Sequence, residues 1–267
     1  MQDDDAFREG GYEPLDPYFG ERPAPADLPG LRQQRFELTS RGDRVPGRLL
    51  LPPNGPGPFP LVLLQHGAGG SKEASYLAAA AGPWVRAGAA VASIDFPLHG
   101  ERASAKLPID LLRGLAGAAL TAAGQTLRLG LVRQAVTDLR RALDALSEHP
   151  LIDTKRVAYA GFSMGAILGA LFCSTDERPR AAVLALAGGG FGPPEVDPAR
   201  FIPRFAPRPL LFVNAERDEV IPRGATEALY AAAGDPKQIV WLDTNHSGLQ
   251  GVALKTMWAF LRPQLGL

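Results

Sequence analysis

Three residues distant in sequence have the types needed to turn a weak nucleophile into a reactive one. They are Ser163 in "GFSMG" (161–165), Asp218 in "ERDEV" (216–220) and His246 in "NHSG" (245–248). A serine hydroxyl attacks a carbonyl only when a nearby base takes its proton and an acid orients that base. His246 is the one histidine downstream of Ser163, so it is the base this order of residues offers. Among Glu216, Asp218 and Glu219, Asp218 lies in the turn before Val220-Ile221-Pro222 and is chosen as the acid, with the two glutamates as solvated neighbours. Asp243, three residues before His246, reads as a strand-end residue. Ser163 follows the apolar run "RVAYA" and precedes "ILGALFC", so it stands where a strand pattern gives way to a helix pattern. A sharp turn there lifts the hydroxyl above the sheet, and Gly161 and Gly165 leave room for it.

Acyl transfer also needs donors for the oxyanion that forms on attack. The turn aims the Met164 N–H at that position. "QHGAGGSK" (65–72) follows an earlier strand pattern and supplies the second donor, assigned to Ala68 with Gly67 as the fallback. The same loop fails two rival patterns. A phosphate-binding G-x-x-x-x-G-K-[ST] loop needs a glycine before its lysine, but Ser71 precedes Lys72. A dinucleotide-binding G-x-G-x-x-G loop needs a third glycine where Lys72 stands.

The remaining histidines have blander readings. His66 orders the glycine loop through hydrogen bonds. His99 in "DFPLHGER" either lines the site or braces its own loop with Asp95 or Arg102. His149 reads as a solvated helix end. The four histidines show no metal-ligand spacing, and no metal or organic cofactor is expected. Cys173, the one cysteine, reads as a small buried apolar residue.

The elements that must position these groups alternate in type. Residues 34–52 read as a hairpin around Arg41-Gly42-Asp43. Strands follow at 61–65, 89–96, 156–162, 181–188, 209–215 and 238–243, with helices at 73–87, 131–148, 164–173, 223–233 and 251–262 between and after them. That alternation predicts an α/β fold with a mostly parallel sheet and helices on both faces. Residues 1–30 are acidic, rich in proline and glycine and aperiodic, and read as an N-terminal arm that could brace the body or a dimer partner; 31–267 read as one domain. Residues 103–130 interrupt the alternation as a small inserted, partly helical segment, a candidate lid or cap. Leu112 in it and Phe191 in the loop 188–203 are candidates for an apolar substrate pocket, and packing of the insert on the sheet is the equal alternative.

The chain has 267 residues, 46% hydrophobic and 21% charged, which suits one large core. Lys+Arg and Asp+Glu both number 28, and no basic run would track a phosphate backbone, so nucleic acid is excluded as a partner. One cysteine forbids an intrachain disulfide and fits a reducing compartment. The start "MQDDDAFREGG" lacks an apolar signal-like stretch, and no run of 18 apolar residues exists; a cytoplasmic location without membrane association is expected.

"HGAGGSKE" (66–73), "DFPLHGER" (95–102), "DTKRVAYAGFSMGA" (153–166), "ERDEVIP" (216–222) and "NHSG" (245–248) together resemble the α/β-hydrolase superfamily. More narrowly, the chain resembles bacterial serine esterases of the dienelactone-hydrolase-like and prolyl-oligopeptidase-like group, over roughly residues 35–262. The name-giving dienelactone hydrolases carry a cysteine nucleophile where this chain has Ser163, so dienelactone hydrolysis is not implied. The resemblance implies a sheet of about eight strands and a Ser163–His246–Asp218 acyl-enzyme mechanism without cofactor, acting on small to medium carboxylic esters. A peptidase, thioesterase or acyltransferase would use the same three residues. A non-catalytic binding protein on this fold would be expected to lose one of them, and none is lost.

Overall fold

The computed structural model describes residue 7 and residues 13–104, 122–190 and 193–267. Strands β1 (Tyr18–Arg22), β2 (Arg32–Ser40) and β3 (Asp43–Leu51) form an antiparallel ribbon at one side of the sheet. The turn joining β2 to β3 has positive φ at both Arg41 (51°) and Gly42 (77°), the backbone twist that suits a tight hairpin. Six further strands complete the sheet: β4 (Phe59–Gln65), β5 (Ala90–Ile94), β6 (Ile152–Phe162), β7 (Pro179–Ala185), β8 (Leu210–Arg217) and β9 (Lys237–Asn245). The order across the sheet is β1-β2-β3-β5-β4-β6-β7-β8-β9, and every pairing from β5 to β9 is parallel.

Parallel strands need crossovers, and helices supply them: α1 (Ser75–Arg86), α2 (Ala122–Ser147), α3 (Met164–Thr175), α4 (Pro198–Phe201), α5 (Arg223–Ala232) and α6 (Val252–Gln264). Two apolar layers result. Leu61 and Leu63 of β4 face α2 and α3, whereas Val62 and Leu64 face α1. A strand buried on both faces must read as a continuous apolar run, which is why "LVLLQ" does. Each fully buried leucine there contributes about 1.5–3 kcal/mol.

The sheet is the α/β, mostly parallel architecture expected, with nine strands among the described residues rather than eight. The extra strand is β1, which lies inside the segment read as an arm. "YFGER" is short, half-exposed and without apolar alternation, so its sequence carries no strand signal; what places it is pairing with β2. Phe7, Leu28 and Leu31 are buried too. The second difference is α2, described over Ala122–Ser147, so 122–130 of the inserted segment belongs to the long helix and is not a separate element. Residues 105–121, with Leu112, and Phe191 lie outside the described residues. No helix among the described residues is long and apolar enough to cross a membrane.

The chain passes from β4 to β5 on one side and then to β6 on the other. Successive connections therefore leave β4 and β6 over opposite faces, through α1 and α3. A crevice opens between them at the C-terminal strand ends.

Candidate active site

Ser163 stands at that crevice, between the last residue of β6 and the first of α3, with φ 50° and ψ −116°. A non-glycine residue in this region is strained, and the neighbours hold it there. Its N–H donates to the Ala185 carbonyl at the end of β7, at 2.8 Å. A Cβ on Gly161 would lie 2.5 Å from the Gly165 carbonyl oxygen. One on Gly165 would lie 2.6 Å from the His66 carbonyl oxygen and 2.9 Å from that of Gln65. Both obstacles are backbone. The two glycines let the helix start press against β6 on one side and the end of β4 on the other.

The loop after β8 brings Asp218, and the loop after β9 brings His246. His246 Nε2 lies 3.1 Å from Ser163 Oγ, and His246 Nδ1 lies 2.9 and 2.8 Å from the two Asp218 oxygens. A carboxylate only accepts, so Nδ1 carries the hydrogen and the Nε2 lone pair faces the serine O–H. Asp218 Oδ1 also accepts from the backbone N–H groups of Val220 and Ile221, both at 2.8 Å. These contacts fix the carboxylate in the turn, and its side chain is 7% exposed against 16% for His246. The Glu219 carboxylate accepts from the His246 backbone N–H at 3.2 Å, so this glutamate, read as solvated, also ties the two loops together. Asp243 turns away and pairs with Arg217 on the surface.

The glycine loop faces Ser163 across the crevice. A Cβ on Gly67 would meet Ser163 Cβ at 3.3 Å. The Gly67 N–H donates to the Tyr76 hydroxyl at 2.9 Å, so this fallback donor is already engaged. Ala68 beside it is exposed at the mouth of the crevice. Met164 is the first residue of α3, where backbone N–H groups have no intrahelical acceptor. Tyr76 is a contributor the sequence reading missed. It lies in the first turn of α1, its ring edge-on to Phe162 at 5.4 Å. Nothing in "SKEASYL" distinguishes it from an ordinary helix residue.

His66 is buried beneath the loop, donating from Nδ1 to the Gly67 carbonyl at 2.8 Å and accepting at Nε2 from the Phe96 N–H at 3.2 Å. Burial lowers its pKa to about 4, so it stays neutral and keeps both bonds. His99 is 3% exposed and also buried rather than presented to the crevice. Its Nδ1 donates to the Pro97 carbonyl at 2.8 Å and its ring lies 5.2 Å from that of His66. The side chains of Asp95 and Arg102, its expected partners, are engaged elsewhere. Asp95 is fully buried and accepts from Lys72 N, Lys72 Nζ and Glu101 N at 2.8, 2.8 and 3.0 Å. It thereby fastens the glycine loop to the 95–102 loop. Arg102 bridges Asp43 and Asp138, each at 2.7 Å. His149 is not solvated: it is 7% exposed, bonded to Gln34 and to the Leu151 N–H, and covered by Phe19. Its proline-flanked position gave no hint of the β1–β2 ribbon that covers it. Among the described residues no group of three or more His, Cys, Asp or Glu side chains is placed to hold a metal ion. Cys173 is buried, and that burial pushes its thiol pKa up, away from the reactive thiolate.

A family model described as "Alpha/beta hydrolase family" matches residues 61–265. The chain belongs to the α/β-hydrolase family. Solved structures agree in fold. A cold-adapted esterase from an Arctic intertidal metagenomic library superposes with a TM-score of 0.73 at 22% identity, over 89% of this chain and 95% of that one. An acetyl xylan esterase from Paenibacillus sp. R4 superposes with a TM-score of 0.77 at 19% identity, over 98% and 92%. Acetyl xylan esterase 1 from Thermoanaerobacterium sp. JW/SL YS485 gives 0.75 at 18% identity, over 97% and 92%. No curated protein matches the sequence significantly.

Proposed function

We propose that the protein is a serine carboxylesterase that hydrolyses small to medium carboxylic esters through an acyl-enzyme. The observation that carries this reading is the continuous relay from Ser163 Oγ through His246 to Asp218 at hydrogen-bond distances. His246 takes the Ser163 proton as the oxygen attacks the ester carbonyl. The N–H groups of Ala68 and Met164 receive the oxyanion, with the positive end of the α3 dipole behind Met164. His246 then protonates the departing alcohol. Water, deprotonated by the same imidazole, attacks the acyl-serine and releases the acid. Asp218 holds the tautomer and stabilises the imidazolium. The esterases that share this fold support the same class of substrate.

Hydrolysis of p-nitrophenyl esters from acetate to palmitate, by wild type and Ser163→Ala in parallel, tests the reading. The expected result is activity that peaks at short chains and falls by about a millionfold in kcat in the variant. Labelling of wild type by a fluorophosphonate, absent in Ser163→Ala, marks the serine as the nucleophile. Turnover equal in the two proteins would refute the assignment.

A further inference from the structure

A cavity of about 310 Å³ lies on the flank of the sheet, lined by β1, β2, β3, the far end of the glycine loop and Glu101. No member of the Ser163 relay touches it. Arg48 of β3 forms part of its wall and is 6% exposed. A guanidinium this deeply placed normally has a carboxylate partner, because an uncompensated buried charge is costly. Arg48 has no carboxylate within ion-pair distance among the described residues. Its one hydrogen bond runs from Nε to Gln33 Oε1, at 3.0 Å, which leaves the two terminal nitrogens without a protein acceptor. Burial accordingly lowers its pKa.

The carboxylates nearby are committed or distant. Glu101 is held by Lys72 at 2.5 Å and by Arg35 at 2.7 Å. Arg35, directly opposite Arg48 across the β2–β3 ladder, is further neutralised by Glu37. Glu73, which lines the cavity, and Asp27 act on Arg48 only through space. On the other side of Gln33, directly opposite it in the ladder, stands Arg22 of β1, which likewise has no carboxylate at ion-pair distance among the described residues. Gln33 spends its oxygen on Arg48, so its amide N–H groups are the part left for a ligand. Arg22, Gln33 and Arg48 thus form a row of donors along one face of three adjacent strands, and the carboxylates that share the cavity wall are Glu101, already paired twice, and Glu73, which bonds to none of the three.

We propose that this row is a binding site for a small molecule bearing a terminal oxyanion, a carboxylate or a phosphate. The planar Arg48 fork takes two of its oxygens side by side, and Gln33 and Arg22 donate from the outer edge. The site goes beyond the esterase reading and stands apart from it, because binding does not depend on ester turnover.

Isothermal titration with inorganic phosphate and, separately, with succinate tests the proposal, each against sodium chloride at matched ionic strength. The expected result is saturable binding of at least one, which tells phosphate from carboxylate as the preferred group. Arg48→Gln weakens it by about tenfold or more, the loss of a charge-assisted contact. Glu73→Gln tightens it by removing a like charge from the wall. Arg22→Gln, on an exposed strand that tolerates substitution, weakens it severalfold and serves if Arg48→Gln misfolds. Binding of neither probe at concentrations up to about 10 mM, equal heats from chloride, or affinities unchanged in both arginine variants would overturn the proposal.

Discussion

Removing one oxygen atom from Tyr76 tests whether the glycine loop is held in place for the reaction. In Tyr76→Phe the ring keeps its edge-on contact with Phe162, so packing is conserved. What disappears is the acceptor for the buried Gly67 N–H, now 2.9 Å away. An orphaned buried donor costs about 1–3 kcal/mol. The loop has two ways to respond. If it keeps its shape, the folded state bears the whole cost. Unfolding entropy near 2.1 cal/mol/K per residue then predicts a melting temperature lower by about 2–5 °C for a chain this long. If the loop shifts to find water, Ala68 moves with it, and the cost falls on the transition state. At 1.36 kcal/mol per tenfold, kcat then drops by about 5- to 150-fold. KM changes little, because the oxyanion exists only after attack. The two responses share one sum, so calorimetric melting and p-nitrophenyl acetate kinetics must be read on the same protein. Stability within about 1 °C of wild type together with kcat within about twofold would refute the reasoning, since the orphaned N–H would then have cost nothing.

Other perturbations probe the remaining parts. Asp218→Asn keeps the shape but favours the wrong imidazole tautomer, and steady-state kinetics should register a loss of about 10⁴ in kcat. Gly165→Ala drives a methyl into the Gln65 and His66 carbonyls, and a cost of about 3 kcal/mol should lower the melting temperature by about 5 °C; an unchanged melting curve would contradict the close approach of β4 and α3. Burial lowers the His66 pKa from 6.5 to about 4. Below pH 6.5 the unfolded chain binds a proton there that the folded chain refuses until about pH 4. Stability therefore falls as pH drops through that window, by at most about 3 kcal/mol from this group. Urea denaturation across the window should give a flatter slope for His66→Gln; equal slopes would remove His66 from the account.

Much of the site was legible in the sequence because its geometry rests on residues with few substitutes. Gly161 and Gly165 are forced by backbone on either side, Ser163 and Asp218 follow strands whose buried apolar runs are easily read, and His246 follows the half-buried β9. The doubly buried β4 could hardly be missed. Elements defined by their partners were harder. β1 is a strand because β2 has an open edge beside it, not because "YFGER" favours extension. The N-terminal part of α2 carries Gly124 and Gly130, which weaken a helix locally, and continuity with the buried stretch from Ala135 onward overrides them. Tyr76, the buried state of His149 and the Asp95–Lys72 fastening depend on contacts between segments far apart in the chain, which periodicity does not encode. Glu219 is exposed, as its sequence suggests, but its bond to the His246 backbone has no sequence signature.

The five residue pairs between β1 and β2 have a consequence for chain ends. β2 is nine residues long and amphipathic, with Phe36 and Leu38 wholly buried on one face. A chain cut after Arg22 would leave its outer N–H and C=O groups bare along much of that length. A bare strand edge is a template for another strand, and the readiest one is the same edge of a second copy. Trimming the N-terminus to tidy its acidic, proline-rich sequence would therefore replace the short edge of β1 with the longer, amphipathic edge of β2, with aggregation as the outcome to watch.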